Sequence, residues 1–183
     1  MKAFLREILE ILVIAAVIFF GLQFVVKDYI ILEYCMEPNL QEGQRIFVNK
    51  IVYNFHEPER GDVIVFQPPT PYGRKADPFI KRIIALPGET VEVTSGAVYI
   101  NGSKLHEPYI KEPPNYSYHS YQLPEDNYFV LGDNRNNAND SHTGWTLPRQ
   151  NIIGKAWLSI WPPDKWGLVT HYPAQEQLAN SMI

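Results

Sequence analysis

The chain has 183 residues, 45% of them hydrophobic and 13% aromatic, and a formal net charge of −4 with acidic and basic residues interleaved along its length. It carries no basic cluster to follow a phosphate backbone, so no nucleic-acid partner is expected, and its single cysteine offers neither an intramolecular disulfide framework nor a zinc-ligand set. Fifteen prolines and the aromatic content favour a β-rich, loop-rich body, and the length suits one domain plus a membrane segment.

Residues 11–26, ILVIAAVIFFGLQFVV, are apolar apart from Gln23, and Leu5, Ile8 and Leu9 continue the pattern backwards. From Phe4 to Val26 a helix reaches across the ~30 Å hydrocarbon layer of a bilayer. A cleaved signal peptide has a shorter apolar core and a small-x-small site. Here the chain goes on with Lys27-Asp28-Tyr29, so an uncleaved single-pass anchor over residues 1–28 is the expectation, with a helix lying in the interface as the alternative. The basic residues lean towards an N-terminus inside and a body on the extracytoplasmic side.

Beyond Tyr29 the sequence breaks into short β-type runs. Residues 43–53 read as one bent strand, Val63–Phe66 as a buried strand, 67–78 as a proline-rich loop and Phe79–Leu86 as a further strand. Thr90–Val93 and Ala97–Ile100 flank Ser95-Gly96 as a hairpin, and Asn101-Gly102 is a second tight turn that wants positive φ. Residues 105–127 read as a long polar excursion, Tyr128–Leu131 and Ile152–Trp161 as strands, and 164–183 as an unassigned tail. The expected division is thus an anchor over 1–28, a β-rich domain over 29–163 and the tail.

Four stretches stand out: Cys35-Met36-Glu37-Pro38-Asn39-Leu40, Arg60-Gly61-Asp62-Val63, Lys81-Arg82-Ile83-Ile84-Ala85-Leu86-Pro87-Gly88 and Gly132-Asp133-Asn134-Arg135. Any one alone is a weak signal, but in this order and at these spacings they resemble the type I signal peptidases. The resemblance implies a mainly β fold, an antiparallel β-sheet body behind an N-terminal transmembrane helix. It also implies a membrane-anchored serine–lysine endopeptidase that removes signal peptides from exported precursors without metal or cofactor. Signal peptides of secreted precursors, membrane lipid and the protein export machinery are the implied partners.

The chain departs from that pattern at its centre. Cys35 stands where the family has serine, Glu33 where relatives carry a small residue or serine, and Ala138 where a serine would help orient the lysine; His142 replaces an arginine that partners the aspartate. On the residues alone, a lone cysteine is usually a small buried hydrophobe, and a lone lysine on a strand usually snorkels. Beside one another and Pro38 they read as nucleophile and base. A lysine among Ile80, Ile83 and Ile84 is pushed by burial towards the neutral form that a base requires. A thiol is an admissible nucleophile, and a thiolate–ammonium pair with Lys81 is conceivable. The expected assignments are Cys35 and Lys81 as catalytic residues, Asp133, Arg82 and Asp140 as supporting groups, and Met36 and Ile80 as substrate-binding residues. Asp133 and Arg135 read as an ion-paired turn, and the sequons at Asn101, Asn115 and Asn139 as exposed turns. The competing function is a catalytically silent relative that binds signal peptides or membrane-protein segments without cutting. A thiol redox sensor is weaker because no resolving cysteine exists in the chain, and a DNA-binding serine–lysine protease is disfavoured by the absence of a basic domain.

Overall fold

The computed structural model describes residues 2–69 and 77–173. Part of the expected 67–78 loop and the last ten residues of the tail lie outside the described residues. A single helix, α1 (Lys2–Val25), opens the chain. Its Arg6–Val25 stretch has a mean hydropathy of 2.6 and none of it is buried against the body, so by length and composition it is able to cross a membrane. Strand β1 (Val26–Ile30) follows with no intervening residue. Lys50 N–H donates to the Val25 carbonyl at 2.9 Å, so the sheet begins inside the segment assigned to the anchor.

β2 (Arg45–Asn49), β3 (Val63–Phe66) and β4 (Phe79–Ala85) come next in the large sheet. The expected single strand over 43–53 is shorter than its apolar pattern suggests. Asn49 Oδ1 accepts from the N–H groups of Ile51 and Val52, each at 3.1 Å, and turns the chain into a short 3₁₀ segment, Val52–Asn54. This is the competition that an asparagine side chain offers to a strand ladder. β5 (Thr90–Thr94) and β6 (Ala97–Ile100) form the expected hairpin, with Ser95 and Gly96 both at positive φ, and Asn101 and Gly102 repeat that geometry before β7 (Ser103–Lys104).

The 105–127 excursion is not wholly irregular: β8 (Tyr118–Gln122) pairs antiparallel with β5. Its near-total exposure explains why no buried face marks it in the sequence. β9 (Asn127–Leu131), β10 (Leu147–Pro148), β11 (Ile152–Trp161) and β12 (Gly167–Leu168) complete the set. The large sheet runs β1-β2-β11-β3-β4-β9-β10 with β12 on β11, and the small one β7-β6-β5-β8. Central β3 and β4 are covered on both faces, which is why their sequences are almost continuously apolar. Three buried clusters fill the body, the first of them around Cys35, Met36, Ile46, Val48, Val63 and Val65.

The described part of the tail belongs to this body. β12 pairs with β11, Val169 is buried, and the Tyr172 ring lies 4.9 Å from that of Tyr109. His171 Nδ1 accepts from Val63 N–H at 3.1 Å while Nε2–H donates to the Ala156 carbonyl at 3.0 Å, an arrangement that fixes the neutral imidazole. Burial, and then the charge of Lys155, pull its pKa down from 6.5 to about 4, with Asp62 opposing. A depressed histidine leaves stability intact above pH 6.5 and removes it as pH falls towards 4, because the unfolded state takes up the proton first. The loss is on the order of 2 to 3 kcal/mol. Unfolding free energies at pH 7 and pH 4 should therefore differ more for the native protein than for His171→Gln. An equal pH dependence in the two proteins would remove this assignment.

Candidate active site

Cys35 sits in the middle of a single 3₁₀ turn, Tyr34–Met36, entered from an extended Glu33 (φ −134°, ψ 160°) and left through an extended Glu37 before Pro38. The turn is held from below by the Gly132–Arg135 loop that follows β9. Asn134 N–H donates to the Cys35 carbonyl at 3.0 Å, and the Asn134 side-chain amide donates to the Tyr34 carbonyl at 3.1 Å. Gly132 packs directly beneath, where a Cβ would stand 2.5 Å from the Cys35 carbonyl oxygen and 2.8 Å from the Ala138 methyl. Only glycine permits that approach.

Lys81 comes from the other direction, on β4 opposite Ile64 of β3. Its side chain is fully buried and its Nζ lies 2.9 Å from Cys35 Sγ. The sulfur also lies 3.6 Å from the Ile80 carbonyl, within reach of a thiol donor. Burial pushes the Cys35 thiol up from its ordinary range; Lys81 opposes this, and the charges of Glu33 and Asp140 add to it. Burial thus works against a thiolate–ammonium pair, while the adjoining Lys81 Nζ favours it. Glu33 places Oε2 4.0 Å from Lys81 Nζ.

The supporting residues are brought together as follows. Arg82 makes a fork to Asp133, Nε to Oδ1 and Nη2 to Oδ2 at 2.8 Å each, both side chains fully buried. Asn39 donates to the same carboxylate at 2.8 Å, and the rings of Tyr109 and Tyr172 lie under the guanidinium at 4.3 and 5.2 Å. Asp140 accepts from Gly132 N–H at 2.9 Å and meets His142 Nδ1 at 2.6 Å, so His142 does pair with the aspartate. Its ring also stacks on Tyr116 at 4.1 Å. Ser141, the nearby serine in sequence, spends its hydroxyl on Val130 N–H at 3.0 Å. Arg135 does not pair with Asp133; it forks onto Glu107. Asn39, Glu107 and Asn134 thus belong to the frame although no role was expected of them. The Asn134 signal lay within a stretch already singled out, whereas Glu107 sits in a polar segment with no pattern.

A cleft of about 200 Å³ opens over the sulfur. It is bordered by the extended segment Tyr29 to Glu33 on one side and Asp77 to Ile80 on the other, above the buried Cys35, Ile46 and Val65. Ile80, expected to contact substrate, is among its lining residues. Met36, also expected to contact substrate, is fully buried in the core cluster and is not among the residues lining the cleft. Asn101, Asn115 and Asn139 are all exposed. No cluster of metal-ligating side chains occurs among the described residues.

Residues 4–161 match the family model described as signal peptidase, peptidase S26. The chain is 45% identical over 170 residues to a probable signal peptidase I-1 of Synechocystis sp., covering 90% of this chain and 86% of that protein. It is 44% identical over 169 residues to a signal peptidase I of Leptolyngbya laminosa, covering 89% and 83%. A crystal structure of a signal peptidase I from Enterococcus faecalis is 34% identical and covers 54% of this chain and 96% of that one, with a TM-score of 0.44.

Proposed function

The chain belongs to the signal peptidase, peptidase S26 family and is an endopeptidase of the signal peptidase I type, and on that premise we propose that it cleaves signal peptides from exported precursors with Cys35 as nucleophile and Lys81 as general base. The observation that carries this reading is the 2.9 Å contact between Lys81 Nζ and Cys35 Sγ beneath an open cleft. Lys81 Nζ takes the thiol proton as the sulfur attacks the scissile carbonyl carbon. The tetrahedral intermediate collapses to a thioester as the same proton passes to the leaving amine. Water then attacks the thioester, giving its proton to Lys81, and the acid product leaves as the thiol is restored. The backbone N–H of Cys35 is available to the oxyanion, and the hydrogen bonds from Asn134 hold the turn that aims it. Arg82, Asp133 and Asp140 position these elements without touching the reacting atoms.

The substrate is an extended segment with small side chains before the scissile bond, laid along the Tyr29–Glu33 wall with Ile80 opposite. The α1 helix anchors the protein in the membrane with the body on the extracytoplasmic side. There the site meets the end of a precursor's apolar segment as it leaves the lipid and the export machinery. Acid quenching of a reaction with a signal-peptide substrate should trap an acyl adduct on Cys35, detectable by mass spectrometry. Turnover with no adduct at Cys35 would overturn the assignment of the nucleophile. Peptide binding with neither turnover nor adduct would favour a non-cutting relative, the reading that the departures at Glu33, Cys35 and Ala138 motivate.

A further inference from the structure

Glu33 differs from the ion-paired carboxylates near the site. Asp28 pairs with Arg45, Glu37 with Lys111 and Glu107 with Arg135, each in direct contact. The Glu33 side chain is 55% exposed and caps no backbone N–H. Its nearest cation among the described residues is Lys81, at 4.0 Å, beyond hydrogen-bond range and wholly buried. Its oxygens therefore keep their capacity to accept, and they do so in the cleft that holds the reactive sulfur. Asp77 stands across the same cleft, exposed, and adds a second negative charge. Glu33 also borders a second opening, between Tyr34 and Ala138, so a peptide crossing the site passes its carboxylate.

Taking the cleft to be a peptidase site, as above, we infer that Glu33 is a specificity-determining residue: its carboxylate selects a substrate with a lysine or arginine among the first two residues after the scissile bond, the small side chains lying before it. The range follows from geometry. Glu33 Oε2 is 4.0 Å from Lys81 Nζ, which is 2.9 Å from Cys35 Sγ. The carboxylate therefore lies no farther from the sulfur than those two distances end to end, about two steps of an extended peptide at ~3.3 Å per residue. A substrate ammonium or guanidinium entering from solvent forms the direct charge-assisted contact that buried Lys81 does not. It also cancels a liability, since an unmatched carboxylate near the developing oxyanion repels the charge the transition state must carry. The preference therefore appears in kcat as well as in KM.

The test uses the full-length protein in detergent with two peptides that differ only by alanine or lysine at the first residue after the cleavage site. The native enzyme should favour the lysine peptide about fivefold in kcat/KM, the size of one partly exposed ion pair. Raised salt should shrink the ratio, and Glu33→Gln should bring it to about one. Glu33→Lys should favour a glutamate peptide instead. An unchanged ratio in Glu33→Gln overturns the inference. So does an equal gain on every peptide, which would place the carboxylate's effect on Lys81 rather than on the substrate. If the native protein cuts neither peptide, the proposed chemistry fails on its own. The inference is then decided by fluorescence anisotropy with the same labelled peptides: lysine bound about fivefold tighter by the native protein but not by Glu33→Gln upholds it, and equal binding ends it.

Discussion

Replacing Cys35 with alanine should abolish cleavage, a loss of several orders of magnitude, and Lys81→Met should do the same while preserving the packing of its aliphatic stem. The two losses should not add, because each variant breaks the same proton transfer across the 2.9 Å contact. Cys35→Ser should retain or improve turnover. The surrounding frame resembles one built around serine, and Lys81 remains in place to accept the proton. Burial opposes ionisation of the sulfur, so the thiol, like a hydroxyl, gains from a base beside it. Assay of native, Cys35→Ala, Lys81→Met and the double variant against one substrate decides the matter. Appreciable and equal cleavage by the native protein and Cys35→Ala would exclude the cysteine as nucleophile.

The largest stability effect is expected at Asp133. Its carboxylate satisfies both Nε and Nη2 of Arg82 and the side-chain amide of Asn39, with no solvent available to replace it. Asp133→Ala leaves a guanidinium charge uncompensated inside the body, at a cost of about 3 to 5 kcal/mol. Replacing both partners with apolar residues, Arg82→Met with Asp133→Leu, should recover a large part of that loss, since the penalty lies in the orphaned charge. Denaturant unfolding of the three proteins separates these cases. A single Asp133→Ala variant as stable as the native chain would show that the pair contributes nothing to holding β4 against the Gly132 loop.

Much of this frame was legible because its physics is local. The Ser95-Gly96 and Asn101-Gly102 turns follow from residue types that tolerate positive φ, and β3 and β4 follow from apolar runs too dense for an exposed face. The nearness of Cys35 and Lys81 was legible only through the resemblance, because two residues 46 apart carry no local signal of contact. What the sequence hid was long-range pairing. β8 is exposed and polar, so nothing but its ladder with β5 marks it as a strand. Arg135 looks like a natural partner for Asp133 two residues away, but the fork of Arg82 already fills that carboxylate, and Arg135 turns to Glu107. Met36 adjoins the nucleophile in sequence, yet in a 3₁₀ turn a neighbour need not share its direction, and this one faces the core.

The junction between α1 and β1 has no spare residue: Val25 ends the helix, Val26 begins the ladder with β2, and the Val25 carbonyl is itself tied to Lys50. A flexible spacer would blur the position of whatever follows it, by an amount that grows with the square root of its length. Here that blur is absent, and from the end of β1 the chain continues through Ile31 to Glu33 and the Cys35 turn. Were α1 to span a bilayer as proposed, the sulfur would stand at one height above the lipid. On the proposed reading the protein would then act as a gauge as well as a cutter, judging a precursor by how many residues separate the end of its apolar segment from its scissile bond.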